Sequence, residues 1–196
     1  MIKKQISTST IFLIVVIILY VLVLLLQPKR YYTWYPTLPI YPDNAKEIDF
    51  MVNEYISKRT QDDIDFFYLT DDSPINAFKS KISEELYTNL SKIITSYKVI
   101  SRIILYKIIF NRARPKQISP EKINAPKSNS AATPAYPSGH AYQSYYAAKV
   151  LSLWEPARKK EWDEIAERAA YIRVYMGIHY PSDVRYAKLL VDDLQI

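Results

Sequence analysis

The longest pattern in the chain is a block with no periodicity at all. From Ile11 to Leu26 every residue is apolar or aromatic, without a charge or a helix breaker. With Thr8, Ser9, Thr10 and Gln27 it reaches roughly the 20 residues that a bilayer-spanning helix needs. Such a run is apolar on every side, unlike the amphipathic helices of a domain surface. The residues that follow, Gln27-Pro28-Lys29-Arg30-Tyr31-Tyr32, lack the small-x-small signature of a cleaved leader. The pattern therefore predicts an uncleaved single-pass membrane anchor over residues 11–27, behind a short tail of residues 1–10. Lys3 and Lys4 flank one end and Lys29 and Arg30 the other, so the basic residues choose no side of the membrane. Tyr31, Tyr32, Trp34 and Tyr35 suit a headgroup layer, and equally suit packing on a domain.

Residues 28–43, with prolines at 28, 36, 39 and 42, read as a Pro- and aromatic-rich linker. Beyond it the apolar positions recur at helical spacing. Helices are predicted over Ala45–Lys58, where Ile48, Met51, Val52, Tyr55 and Ile56 share a face, and over Asp62–Leu69. Ile75–Leu90 and Ser91–Asn111 form a further pair or one bent helix. His140–Leu153, Ala157–Met176 and Ser182–Leu194 supply three more. Pro115 to Pro137, rich in Pro, Ser, Asn and Ala, is a long loop of the kind that carries function. Tyr97 to Phe110 is the nearest approach to a second span, but Lys98, Arg102 and Lys107 interrupt it. Strand-like alternation is nearly absent, so the expected fold is all-α: one helical bundle domain over residues 44–196 behind an N-terminal transmembrane helix.

Composition narrows the chemistry. The 196 residues carry a formal charge of +6, which suits an anionic partner. The basic residues form no long run and no nucleic-acid motif, so nucleic acid is not an expected partner. There is no cysteine, which excludes disulfides, thiolate metal sites and cysteine nucleophiles. Two histidines without His-x-x-Glu-His spacing leave no dedicated zinc site to expect.

The only two histidines lie beside the only two glycines, each pair at a turn that opens a helix. In Pro137-Ser138-Gly139-His140, Ser138 is a good N-cap and Gly139 lets backbone approach a ligand. The helix start would present N–H groups to an anion, with His140 beside it. Taken alone, the tetrapeptide fits a plain cap with an exposed histidine equally well. In the second cluster Arg173 falls on the buried stripe of its helix, where a guanidinium needs a carboxylate or an oxyanion. The helix should end near Gly177, and His179 follows at once. Asp183, four residues on, can accept the imidazole N–H and leave the other nitrogen free to attack, or can serve only as a helix N-terminal charge. Lys107 sits among Ile103, Ile104, Ile108 and Phe110, where an ammonium either reaches an anion or snorkels to water. Arg114, seven residues on, is expected to face the same way, and Pro115 pushes it out of helical geometry. Arg112 lies off that face and reads as a surface charge.

Lys107-(six)-Arg114-Pro115, Pro137-Ser138-Gly139-His140 and Arg173-(five)-His179-(three)-Asp183 together resemble the signature of the type 2 phosphatidic acid phosphatase superfamily. That group includes bacterial class A acid phosphatases and vanadium-dependent haloperoxidases. The stretch Arg59-Thr60-Gln61 leading to Phe66-Phe67 is similar to the upstream part of the haloperoxidase-like branch, and the likeness spans about Pro36 to Asp193. One departure is Ile172, where the family usually has serine. The resemblance implies His179 as the nucleophile that becomes a phosphohistidine, Asp183 as its orienting partner, and His140 as the general acid and base. It implies Lys107, Arg114, Ser138, Gly139 and Arg173 as the clamp on the phosphoryl oxygens. Fixed cations and a helix N-terminus supply charge stabilisation without a metal ion or cofactor. The expected activity is hydrolysis of phosphomonoesters, soluble or lipid, with vanadate as an inhibitor. The rival readings are a haloperoxidase with vanadate as cofactor on His179, and an inactive membrane-bound phosphate-binding protein.

Overall fold

The computed structural model describes residues 8–27 and 29–195. Most of the predicted tail, residues 1–7, lies outside the described residues, as do Pro28 of the linker and Ile196. Among the described residues there is no strand, only one isolated antiparallel bridge between Arg30 and Arg112. The chain is all-α, as its periodicity predicts.

Helix α1 (Thr8–Leu26) buries none of its residues and is long and apolar enough to cross a membrane. Helix α2 (Asn44–Glu54) starts at Asp43, whose carboxylate accepts the Lys46 N–H. Helix α3 (Gln61–Thr70) opens on a full capping box between Thr60 and Asp63. The predicted Ile75–Leu90 helix is instead a 3-10 segment, Pro74–Lys81, followed by α4 (Glu84–Ile94). Ser83 makes the break: its hydroxyl caps Leu86 N–H, and Glu84 and Glu85 stabilise the new first turn. A second stop at Thr95 and Ser96 separates α5 (Tyr97–Phe110), so the expected pair is three pieces. The long loop holds a short helix, α6 (Pro115–Ile118), and a 3-10 turn at Asn129–Ala131.

The last three helices make the centre. Helix α7 (Gly139–Trp154) is buried along most of its circumference, with Ala141, Ala147 and Ala148 inside. Helix α8 (Lys159–Tyr175) faces it with Ala166, Ala169 and Ala170, small side chains that let the two backbones come close. Helix α9 (Pro181–Asp192) closes the group through Val184, Ala187 and Val191. Trp162 is fully buried against Phe78, under the Arg158 guanidinium. A smaller apolar cluster of Phe67, Ile172, Met176 and Ile178 sits under the turn that follows α8. Ile172, the departure from the usual serine, is 2% exposed there and serves as packing.

The predicted linker is held along much of its length. Tyr31 N–H bonds to Asn111 O at 3.1 Å, Leu38 N–H to Ile109 O at 3.2 Å, and Thr37 Oγ to Phe110 O. Asn111, in left-handed geometry with φ 45°, exchanges amide hydrogen bonds with the Tyr32 backbone. The aromatic residues thus bind the end of α5 and leave little free tether.

Candidate active site

Three short segments converge on one cavity of about 180 Å³, lined by Ile100, Ile103, Ile104, Lys107, Ser130, Thr133, Gly139, His140, Gln143 and His179. The α8–α9 turn sets the first segment. Gly177 adopts φ +70°, and a Cβ there would lie 2.8 Å from Ile123, so only glycine fits this helix end. The chain then folds back so that the Arg173 carbonyl accepts both Ile178 N–H (3.0 Å) and His179 N–H (3.2 Å). This turn is the physical origin of the five-residue gap between Arg173 and His179.

Asp183 lies in the first turn of α9. One carboxylate oxygen accepts Tyr180 N–H at 2.9 Å and stands 2.9 Å from His179 Nδ1. The other accepts Arg112 Nη1 at 2.7 Å. On the far side of the imidazole, Arg114 Nη1 stands 2.9 Å from His179 Nε2. A guanidinium can only donate, so Nε2 carries the lone pair and Nδ1 the proton, directed at Asp183. Burial first, then the charges of Arg114, Lys107 and Arg173, hold the His179 pKa well below its usual value and keep the ring neutral. Burial pushes the Asp183 carboxyl up, against the pull of Arg112 and of Tyr180 N–H. Both oxygens are already accepting donors, which favours the carboxylate.

The second segment is the start of α7. Ser138 Oγ accepts Ala141 N–H at 3.3 Å and caps the helix, while Ser138 N–H bonds to Asp183 O at 3.1 Å. That backbone bond ties the two histidine motifs together. His140 Nε2 lies 2.9 Å from the Asp71 carbonyl, so that nitrogen donates and Nδ1 is the remaining face. Burial and the Arg173 charge press the His140 pKa down to about 3, partly offset by that hydrogen bond. A Cβ on Gly139 would lie 3.4 Å from Ile103 and 3.8 Å from Lys107. The protein itself would tolerate alanine there, so glycine keeps this wall of the cavity open.

The cations form the third part. Lys107, 6% exposed, reaches the Pro134 carbonyl; burial, then the Arg114 charge, lowers its pKa. Arg114 bonds to Thr133 O, Ser130 O and Ile178 O besides His179, and burial brings its pKa down to about 10. Arg173 is fully buried against Phe67, pairs with Asp71 at 2.8 Å, and donates to Ser128 Oγ at 3.1 Å and Ser130 Oγ at 2.7 Å. Its Nε has no partner among the described residues. Arg114 and Arg173 stand behind the cavity wall: the first touches His179, the second Ser130.

All eight predicted site residues therefore come together, with two corrections. Arg114 does not share a helical face with Lys107, because α5 ends at Phe110 and residue 114 is extended. The two converge because both reach the 133–134 loop. Arg112 is not a surface charge. It is fully buried, bound to Asp183, to Glu47 at 2.7 Å, to Ser182 at 2.7 Å and to Asn44 at 2.9 Å, with its guanidinium 3.7 Å from the Tyr180 ring centroid. The available signal was Asn111, a residue tolerant of left-handed geometry, which ends the helix. Residues 112, 113 and 114 beyond it are all buried. Sequence reasoning also missed Glu47, Asp71, Ser128 and Ser130, whose distances in sequence from the motifs hide their role as partners of the arginines.

The all-α domain brings a histidine–aspartate pair, a second histidine and buried cations around one small cavity. The PAP2 superfamily model matches residues 86–190, more than half of the chain and all three motifs, and the chain belongs to that superfamily. Membership supports a phosphatase or haloperoxidase-like activity in general. No curated protein matches the chain.

Proposed function

We propose that this protein is a single-pass, membrane-anchored phosphomonoester hydrolase working through a phosphohistidine on His179, with α1 as the anchor. The observation that carries the reading is the state of His179: Nδ1–H held by Asp183, and the Nε2 lone pair met by the Arg114 guanidinium. Arg114 shifts its N–H from Nε2 to a phosphoryl oxygen when an ester enters. Nε2 then attacks phosphorus, the P–O ester bond breaks, and the leaving oxygen takes a proton from His140 Nδ1. Water next gives a proton to His140 and attacks phosphorus; the P–N bond breaks and orthophosphate leaves. Lys107, Arg114, Arg173, Ser138 Oγ and Gly139 N–H hold the oxygens throughout. No metal ion or cofactor takes part in these steps, and vanadate acts as an inhibitor.

Burial and the Arg173 charge hold His140 neutral at working pH, so the dianionic substrate must supply the charge that raises its pKa. The ester's organic part meets an apolar wall of Ile100, Ile103 and Ile104, which accepts soluble and lipid esters alike. The test is hydrolysis of p-nitrophenyl phosphate in EDTA, inhibition by vanadate, and acid-labile phosphoenzyme trapping over a panel of soluble and lipid esters. Wild-type turnover by His179→Ala would sink the nucleophile assignment. Bromide oxidation with vanadate and peroxide, in the absence of phosphatase activity, would replace the reading with the haloperoxidase one.

A further inference from the structure

Helix α5 shows water an unusual face. Its inner stripe, Val99, Ile103, Lys107 and Phe110, is buried. Its outer stripe is Ile104, Leu105, Ile108 and Ile109, between 37% and 57% exposed, without a charge among them. A helix on a water-facing surface carries polar residues there. The segment fastened to the end of α5 extends the same character, with Trp34 71%, Leu38 52% and Ile40 71% exposed. Tyr32, Trp34, Tyr35, Ile104 and Ile108 enclose a hollow of about 340 Å³ between the two. A contiguous apolar patch of this kind marks an interaction surface.

Helix α1 identifies the partner. Tyr20 Oη donates to the Trp34 carbonyl at 2.9 Å. Tyr20 precedes Leu26 by six residues, which at 1.5 Å per residue places it about 9 Å inside the end of the apolar helix. Trp34 thus lies beside α1 at a depth within the span, not beyond it. Gln27 fixes that depth by bonding the Thr37 backbone twice, at 3.2 Å and 2.7 Å.

We propose that the outer face of α5 and residues 34–40 form a second membrane-contact surface, immersed in the leaflet that the C-terminal end of α1 crosses. This rests on α1 being a membrane anchor and is independent of the phosphatase reading. The depth indicated by Tyr20 matches the roughly 5–10 Å to which interfacial helices sink. Lys29 and Arg30 follow the anchor in the chain, where cations meet lipid phosphates. The catalytic cavity and the apolar hollow share Ile104, Lys107 and Thr133, so the cavity mouth opens toward the bilayer surface.

The absence of cysteine makes single-cysteine labelling free of background. Full-length Leu105→Cys, Leu38→Cys and, on the exposed side of α8, Lys160→Cys would each carry an environment-sensitive fluorophore. Each is reconstituted in phosphatidylcholine–phosphatidylglycerol vesicles with or without nitroxide-bearing lipid. The surface predicts blue-shifted emission and severalfold stronger nitroxide quenching at 105 and 38 than at 160. Chains that float with the vesicles but quench equally at all three sites overturn the surface and leave the anchor standing. Chains that do not float with the vesicles overturn the anchor and the surface together. Shielding at 105 that follows protein concentration, with or without lipid, assigns the face to a second copy of the chain and overturns the proposal.

Discussion

His140 and His179 are both buried neutral, and each has a measurable consequence. The unfolded chain takes up a proton on His140 near pH 6.5, whereas the folded protein refuses it until about pH 3. Below pH 6.5 the unfolded state therefore binds more protons, and stability falls with pH by about 1.4 kcal/mol per pH unit from this group until about pH 3. His179, also held well below its usual value, acts in the same direction. Urea unfolding should show a lower midpoint at pH 5 than at pH 7, with a shallower dependence in His140→Asn; equal midpoints in the wild type would contradict neutral burial. In turnover, His140→Ala should lose about 10²–10⁴-fold, the usual worth of a general acid. Arg112 answers differently, because it touches Asp183 and not the cavity lining. Arg112→Ala strands the Asp183 and Glu47 carboxylates and should cost about 3–5 kcal/mol in denaturant unfolding. Arg112→Lys keeps the charge but cannot span both carboxylates and Ser182. It should retain more stability and lose kcat more than KM, as Asp183 loosens its hold on the His179 tautomer.

At the scale of elements, the turn between α8 and α9 is the least replaceable part. Gly177→Ala adds a methyl 2.8 Å from Ile123 in a conformation that L residues avoid. Its cost should be about 1–3 kcal/mol, with a further loss of activity as Arg173 and His179 change their relative placement. Circular dichroism melts and kcat should move together. Gly139→Ala is the contrasting case, since its methyl meets only ordinary contacts. Its melting temperature should stay near that of the wild type while KM and the vanadate inhibition constant rise. A large loss of stability would show that Gly139 serves the fold instead. The helix-terminating residues were legible to unequal degrees. Ser138 and Gly177 stand beside unmistakable motifs, whereas Ser83 and Ser96 interrupt apolar runs whose spacing continues across them. Periodicity alone cannot see a break when the apolar phase is kept on both sides.

Across the whole molecule, the cavity gathers Lys107 and His179 on its walls with Arg114 and Arg173 behind them, and the carboxylates nearest these groups, Asp71 and Asp183, are already engaged. A bound oxyanion should therefore stabilise the entire fold. Phosphate or vanadate at a hundred times its dissociation constant should add about 2.7 kcal/mol to unfolding free energy. Thermal shift in EDTA with rising vanadate measures it, and a melting temperature unmoved by either anion would count against an assembled site. The three motifs come from α5 with the extended residues after it, the start of α7, and the α8–α9 turn, and the Ser138 N–H bond to Asp183 O links two of them. Occupancy should thus be felt in the core helices as well as at the cavity.

The all-α class, the apolar N-terminal helix and the turns that carry the two histidines were legible in the sequence, whereas the grouping of eight residues into one site came from the resemblance of its three motifs. The legible properties follow from local pattern: a charge-free run, period 3.6, and glycine, proline and serine at the turns that open helices. The sequence left Asp183 two roles, imidazole partner or helix N-terminal charge, and the folded turn, with His179 Nδ1 2.9 Å from the carboxylate, decides for the first. Tertiary structure alone decided the fate of Arg112, whose partner Glu47 is distant in sequence, and of Asp71, which binds Arg173 from the end of α3. It also decided that the aromatic segment after α1 lies against α5, and that the outer face of α5 stays apolar and exposed. A buried charge is read from what surrounds it in space, and for Arg112 that surrounding comes from α2 and α9, which only the folded chain brings together.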